Sequence, residues 1–280
     1  MTAPALDDLL AYADGLPSLP EVVRHLMTSL KDERADVDTL ARQINADPAI
    51  VARLLAAANS SAFGLSTRID SARQAFLVLG VDRVTSIILA TALIERFDTQ
   101  SQDFDARLLW RHTLGVATCA HAVAEQTGVN PEIAFTAGLL HDIGQLLMFT
   151  AAPAAYAQSL ALRKNENASI LVAEKTVFGY DHAAAGGMLA SAWKLPHEIG
   201  EAIAAHHDPD ESPCGGELSD LIHVAEVLSH ALDLGEQPNN LVPDLSERAC
   251  ARLGLSWLSF SSRFAEIEAR YDGMRIALGI

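Results

Sequence analysis

LLWRHTLGVATCAHAVAEQTGVNPEIAFTAGLLHDIGQLL, residues 108–147, decides the fold class. Leu108, His112, Val116, Cys119 and Val123 recur at three- and four-residue intervals, the spacing that puts side chains on one stripe of a helix. Gly128 stops that helix, and Asn130-Pro131 opens the next with a capping side chain and a proline where no amide is needed. The second helix is apolar until His141-Asp142, with Gly138 and Gly144 read as loosening it. His112 lies on the apolar stripe and so points inward. A buried, unpaired Asp142 would cost several kcal/mol or be forced to take up a proton, so something cationic is expected to meet it.

The same punctuation runs outward in both directions. Pro20 opens a helix carrying Val22, Val23, Leu26, Met27 and Leu30; Asp47-Pro48 starts one with Ile50, Leu54 and Ala58; Asp70 caps one with Ala72, Ala75, Phe76 and Leu79 that ends at Gly80. Trp257, Phe260, Phe264, Ile267, Tyr271 and Met274 form a final stripe, expected to pack on the rest of the chain. No alternating strand pattern interrupts a composition that is half apolar and rich in Ala and Leu, which predicts an all-α, multi-helix bundle. Polar breaks at 97–105 and 235–244 divide it into an N-terminal helical subdomain (1–97), a histidine-bearing subdomain (98–235) and a C-terminal helical extension (236–280).

With 36 acidic against 20 basic residues and a net charge of −16, the chain lacks the positive surface that nucleic acid requires. LARQINADPAIVARLLAAAN could be read as a helix-turn-helix, but its second helix offers only Arg53 to a phosphate, and core packing is the better reading. Three cysteines without paired spacing, Cys119, Cys214 and Cys250, fit a reducing compartment. The opening MTAPALDDLLAYADG has neither a basic start nor a signal-like apolar run. Ile87–Ile94, broken by Thr91, is far short of the roughly 20 residues of a membrane span. A cytoplasmic location without membrane partners is therefore expected.

Nine of the ten histidines lie at or beyond position 112, so the chemistry is expected there. His206-His207 ends an amphipathic run, His182 follows the capping residue Asp181, and His223, Glu226 and His230 share a helical face. A single inward histidine is more often a hydrogen-bonded core residue than a ligand, so the set carries the argument. Mixed imidazole and carboxylate donors suit Fe, Mn, Zn or Co, as a mononuclear or binuclear site.

LPSLPEVV, DPAIVARLLAAANSSAFG and IDSARQAFLVLGV, followed in order by LWRHTLGVA, AFTAGLLHDIGQLL, EKTVFGYDHAAAGGML, WKLPHEIGEAIAAHH and IHVAEVLSHAL, resemble the blocks of the HD-related output domain (HDOD) family over about residues 15–235. That family is related to the HD and HD-GYP phosphohydrolases, and the resemblance implies an HD-like bundle. It further implies His112, His141, Asp142, His182, His206 and His207 as metal ligands, with Glu226 at the position of a final Asp. Two departures argue against turnover: Gln145 stands where a lysine is expected, and the Gly-Tyr-Pro block is absent, replaced by the acidic DPDESPCGGE. Leu108 also stands where some HD-GYP enzymes place a glutamate ligand. The resemblance thus points to a non-catalytic regulatory protein acting on a signalling protein in trans, its input arriving that way or as a small nucleotide ligand. The competing reading is a metal-dependent phosphohydrolase acting on a nucleotide or cyclic dinucleotide.

Overall fold

The computed structural model describes residues 3–9, 11, 36–96, 104–212, 215–235, 241–256 and 260–280. The helix expected after Pro20 lies outside them, as do Trp257 and Cys214, and the boundaries expected at 97/98 and 235/236 fall at the edges of undescribed stretches. A short 3-10 turn, Leu6–Asp8, leads the described chain, and no strand occurs among the described residues. The helices are α1 (Val37–Asn45), α2 (Pro48–Ala58), α3 (Ala72–Leu79), α4 (Val81–Arg96), α5 (Ala106–Ala124), α6 (Pro131–Leu140) and α7 (Ile143–Ala151). They continue with α8 (Pro153–Glu166), α9 (Ile170–Phe178), α10 (His182–Ala192), α11 (His197–Ala205), α12 (Glu217–Ala231), α13 (Glu247–Arg252) and α14 (Phe264–Leu278).

The caps explain most of the starts. Asp47 Oδ1 accepts from the Ala49 and Ile50 amides ahead of α2, and Asn130 Oδ1 does the same for Glu132 and Ile133 ahead of α6, each with proline at the first turn. Asp181 caps α10. At α3 the cap is Ser71, one residue after the expected Asp70, whose amide instead donates to Gln74 Oε1. α3 ends at Gly80 with φ of 86°, a conformation that disfavours a side chain.

α1 to α4 form an N-terminal group sharing Leu40, Ile44, Ile50, Leu54 and Phe76 as core. The buried apolar faces of α1 and α2 are those of a packing corner, as expected. α5, α6 and α12 pack together at the centre; α11 packs against α6 and α12, α10 against α11, and α7 against α10. α14 lies across α2 and α5, burying Ile267, Tyr271 and Met274, so these residues of the expected final stripe are covered by the chain itself. Each such apolar side chain removed from water contributes on the order of 1.5–3 kcal/mol.

Pro131–Ala151, a 21-residue stretch with a window of mean hydropathy 1.3 and split by His141-Asp142, is long and apolar enough for a membrane span by length and composition. Of its most apolar window, 78% is buried inside the fold, and the chain bends at the split into α6 and α7.

Candidate metal centre

Helix ends deliver most of the chemistry. His141 closes α6, Asp142 opens α7 without making a capping bond, His182 is the first residue of α10, and His206 closes α11 with His207 behind it. His112 and Glu226 come from within α5 and α12. Gly115 lets these two helices approach closely, since a Cβ there would stand 2.6 Å from Ser229 Oγ. Gly138 and Gly144 serve the same end and do not loosen the helix. A Cβ at 138 would meet the Ala117 backbone at 2.8 Å, and one at 144 would meet the His182 carbonyl oxygen at 2.0 Å.

All seven candidate residues converge. Asp142 is at the centre: Oδ2 lies 3.7 Å from His112 Nε2 and 3.5 Å from His141 Nε2, and Oδ1 lies 2.9 Å from His182 Nε2 and 3.8 Å from His206 Nε2. His207 Nε2 is 2.8 Å from His182 Nε2, and His207 Nδ1 is 3.5 Å from Glu226 Oε2. Donor atoms fall into overlapping sets, each within 4.8 Å: Asp142, His182, His206 and His207; His112, His141 and Asp142; His141, His206 and Glu226; His112, Glu226 and His230. The overlap suits one or two ions sharing Asp142.

Three of the rings are oriented by acceptors at the rear. His141 Nδ1 lies 2.7 Å from the Gly138 carbonyl, His206 Nδ1 2.7 Å from the Ile203 carbonyl, and His182 Nδ1 2.6 Å from Glu174 Oε2. An oxygen acceptor at that distance fixes the proton on Nδ1 and turns the Nε2 lone pair into the cluster. His141 Nε2 and His206 Nε2 are buried with no hydrogen-bond partner; Asp142 Oδ1, though close to His182, is not aligned to receive a bond. Buried lone pairs left open are costly, and a cation would satisfy all three at once. The residues present therefore fit a transition metal.

The electrostatics agree. Burial pushes His112 down to about 3 and holds His141, His206 and His207 below the usual histidine range, so these imidazoles are neutral donors. Burial opposes charge on Asp142 too, but His141 and His182 outweigh it and keep the carboxylate ionised. His182 goes the other way: burial lowers it, while Glu174 and Asp142 raise it well above the ordinary value. Without a metal, that imidazolium is the cation Asp142 demands. Glu226 is raised to about 8 by burial and by Asp142.

The HDOD domain model matches residues 16–209. The chain belongs to the HDOD family. An uncharacterized protein of Treponema pallidum (strain Nichols) is 25% identical over 235 residues, 82% of this chain; the chain spans 45% of that protein's length. Among solved structures, an HDOD domain protein of unknown function from Geobacter sulfurreducens is similar with a TM-score of 0.81 and 28% identity, covering 96% of this chain and 97% of that one. A candidate phosphohydrolase from Shewanella amazonensis SB2B gives 0.79 and 25%, with the same coverage.

Three residues of this HDOD protein belong to the cluster without having been singled out as ligands or supports. His230, seen in sequence only as part of a shared face, brings its ring within 4.8 Å of His112. Glu174 is fully buried and accepts from the His182 amide at 2.9 Å as well as from its ring. Tyr156 donates towards Glu174 Oε1 (3.2 Å) or Gln145 Oε1 (3.0 Å), and Gln145 Nε2 donates to Asp142 Oδ2 at 2.7 Å. Gln145, Tyr156 and Glu174 thus link Asp142 to His182 from behind, in a circuit closed by the 2.9 Å ion pair between Asp142 Oδ1 and His182 Nε2. A glutamate eight residues before a histidine carries no sequence signal. His223, on the same helix as Glu226, is turned away: its Nδ1 is bonded to the His206 carbonyl, and its Nε2 accepts from the Ser246 amide.

Proposed function

We propose that this HDOD chain is a cytoplasmic regulatory protein that acts by binding a signalling protein in trans, its histidine and carboxylate cluster holding one or two transition-metal ions (Fe, Mn, Zn or Co) as part of the scaffold. The observation that carries the reading is closure. His112, His141, Asp142, His182, His206 and Glu226 are each 0–6% exposed, and only His207 among the seven is partly open. Structural metal sites are enclosed by protein donors, whereas catalytic ones keep a face open to substrate. Gln145 fits the same reading, because a neutral amide on Asp142 holds the carboxylate in place without supplying charge to a phosphate.

His112, His141, Asp142, His182, His206, His207 and Glu226 would hold the metal. When bound, it supplies Lewis acidity and a strong local positive charge. His182 would then give up its Nε2 proton while keeping Nδ1–H on Glu174, and Glu226 would ionise. The second reading, a phosphohydrolase acting on a nucleotide or cyclic dinucleotide, draws on the full donor set and on the similarity to the Shewanella protein.

Metal analysis of the purified protein, a pull-down from native cytoplasm, and assays with cyclic dinucleotides and nucleoside monophosphates separate the two. The expected outcome is bound transition metal that is lost in Asp142→Ala, a captured signalling protein, and no turnover. Metal-dependent hydrolysis abolished by Asp142→Ala would overturn the regulatory reading.

A further inference from the structure

A cavity of about 90 Å³ lies away from the histidine cluster, where the N-terminal helices, the central helices and α14 meet. Arg83 of α4 and Phe63 line it from one side, His121 of α5 with Glu132 and Phe135 of α6 from the second, and Arg270 of α14 from the third. His121 Nδ1 is 2.8 Å from Arg270 Nη1, and His121 Nε2 is 3.4 Å from Arg83 Nη2. Guanidinium groups only donate, and a neutral imidazole has one acceptor nitrogen. Two arginines therefore compete for a single lone pair.

Arg270 makes the shorter contact; with Nδ1 accepting from it, Nε2–H points at Glu132 Oε1, 3.2 Å away, and Glu125 Oε1 lies 3.4 Å from Nδ1. Glu132 Oε1 also receives Arg83 Nε at 2.7 Å. In that tautomer Arg83 Nη2 faces the His121 Nε2–H at 3.4 Å, at the edge of the cavity. Arg270 is held on its outer side by Glu266 at 2.8 Å and Glu125 at 3.6 Å. The lining itself carries two guanidiniums against one carboxylate, in a chain whose net charge is −16. The rest of the lining is apolar apart from Ser86 and Thr118, whose hydroxyls bond to carbonyls of their own helices, and the Arg83 guanidinium lies 5.8 Å over the Phe63 ring. An occupant must bring an anionic acceptor on an apolar body. It must also be small, because pockets for drug-sized ligands run to roughly 300–1,000 Å³.

We propose that this seam is a binding site for a small organic carboxylate, with its oxygens on Arg83 and its apolar part against Phe63 and Phe135. Such an occupant bridges the N-terminal helices and α6, so its binding stabilises their arrangement.

Calorimetric titration and thermal denaturation of the full chain test this with benzoate and isovalerate as probes. Benzamide serves as the uncharged control and inorganic phosphate as the anion without an apolar body. Saturable binding of at least one acid with a rise in Tm is expected, and neither control should bind. Arg83→Gln should weaken the affinity by about tenfold or more. Ala62→Leu, which fills the cavity and leaves both arginines in place, should abolish binding; it decides alone if the arginine variant does not fold. The proposal is overturned if neither acid binds saturably, if phosphate or benzamide binds equally well, or if Ala62→Leu leaves the affinity unchanged.

Discussion

Glu174 has no solvent exposure and three donors aimed at it: the His182 amide, the His182 ring and the Tyr156 hydroxyl. Its work is to hold an imidazole in one tautomer and one orientation, and residues in that position tune metal affinity without touching the metal. Glu174→Gln keeps the shape but replaces one acceptor oxygen with a donor. It should weaken metal binding by roughly 10–100-fold in a chelator-competition titration while the helix content is kept. Glu174→Ala strands all three donors and should also lower stability by about 1–3 kcal/mol for each group left unsatisfied, measured by chemical denaturation. Unchanged metal affinity in Glu174→Gln would show that the circuit is only packing. At this scale His112, His141 and Asp142 were legible in sequence as polar groups on apolar stripes, and only together with the other histidines did they point to a metal. Glu174 was not legible, because its stripe is defined only by what α9 packs against.

The cluster exists because helix backbones come unusually close, and glycines mark the places. A Cβ at Gly144 would stand 2.0 Å from the His182 carbonyl oxygen and 2.7 Å from the Gly186 amide, both backbone atoms that cannot step aside. Gly144→Ala should therefore force α7 and α10 apart, costing about 3 kcal/mol or more and weakening metal binding, since Asp142 and His182 ride on those helices. Gly200 in α11 is the control: a Cβ there meets only Ala190 Cβ, at an ordinary 3.6 Å. Gly200→Ala should be neutral or stabilise by roughly 0.5–1 kcal/mol, because alanine loses less backbone freedom on forming a helix. Thermal denaturation of both variants checks the pair, and equal destabilisation would contradict the close-approach account. Sequence singled out Gly138 and Gly144 and the Asp47, Asn130 and Asp181 caps. It assigned Gly138 and Gly144 a flexibility they do not supply, since close approach is a property of two helices and each pattern reports one.

Across the molecule, proton uptake by the cluster links stability to pH. Burial holds His112, His141, His206 and His207 below the ordinary 6.5, so below that pH the unfolded chain takes up protons that the metal-free fold refuses. Their contribution is complete above pH 6.5 and is lost as pH falls. Glu226, raised to about 8 from an ordinary 4.5, works in the opposite direction: the folded form keeps a proton that the unfolded chain releases. His182, raised above 6.5, contributes fully below that pH and loses its share as pH climbs through its own raised value. Four groups against one make metal-free protein less stable from pH 6.5 towards 5. Above 6.5, His182 and Glu226 make stability decline again with rising pH. The Tm of metal-free protein should thus peak near neutrality, and a steady rise from pH 6 to 9 would contradict the charge assignments. Adding Fe or Mn at neutral pH should raise Tm, and acid should reverse the gain, because the donors must shed protons to bind metal. A Tm insensitive to added metal would mean that the cluster is stable as a hydrogen-bonded relic.

The sequence by itself determined the helical class, the positions of most helix starts and stops and the crowding of histidines beyond position 112, each by local rules: spacing along one helix, a cap before a proline, or a polar group on an apolar stripe. The seven residues of the cluster came from the resemblance to the HDOD blocks. Only the tertiary structure decided that the cluster is closed, that Glu174, Tyr156 and Gln145 brace it, that His230 joins while His223 turns away, and that Arg83 and Arg270 converge on one imidazole. The physical reason is that accessibility, donor alignment and competition for a lone pair depend on distances between helices far apart in the chain, and a one-dimensional pattern does not encode those distances.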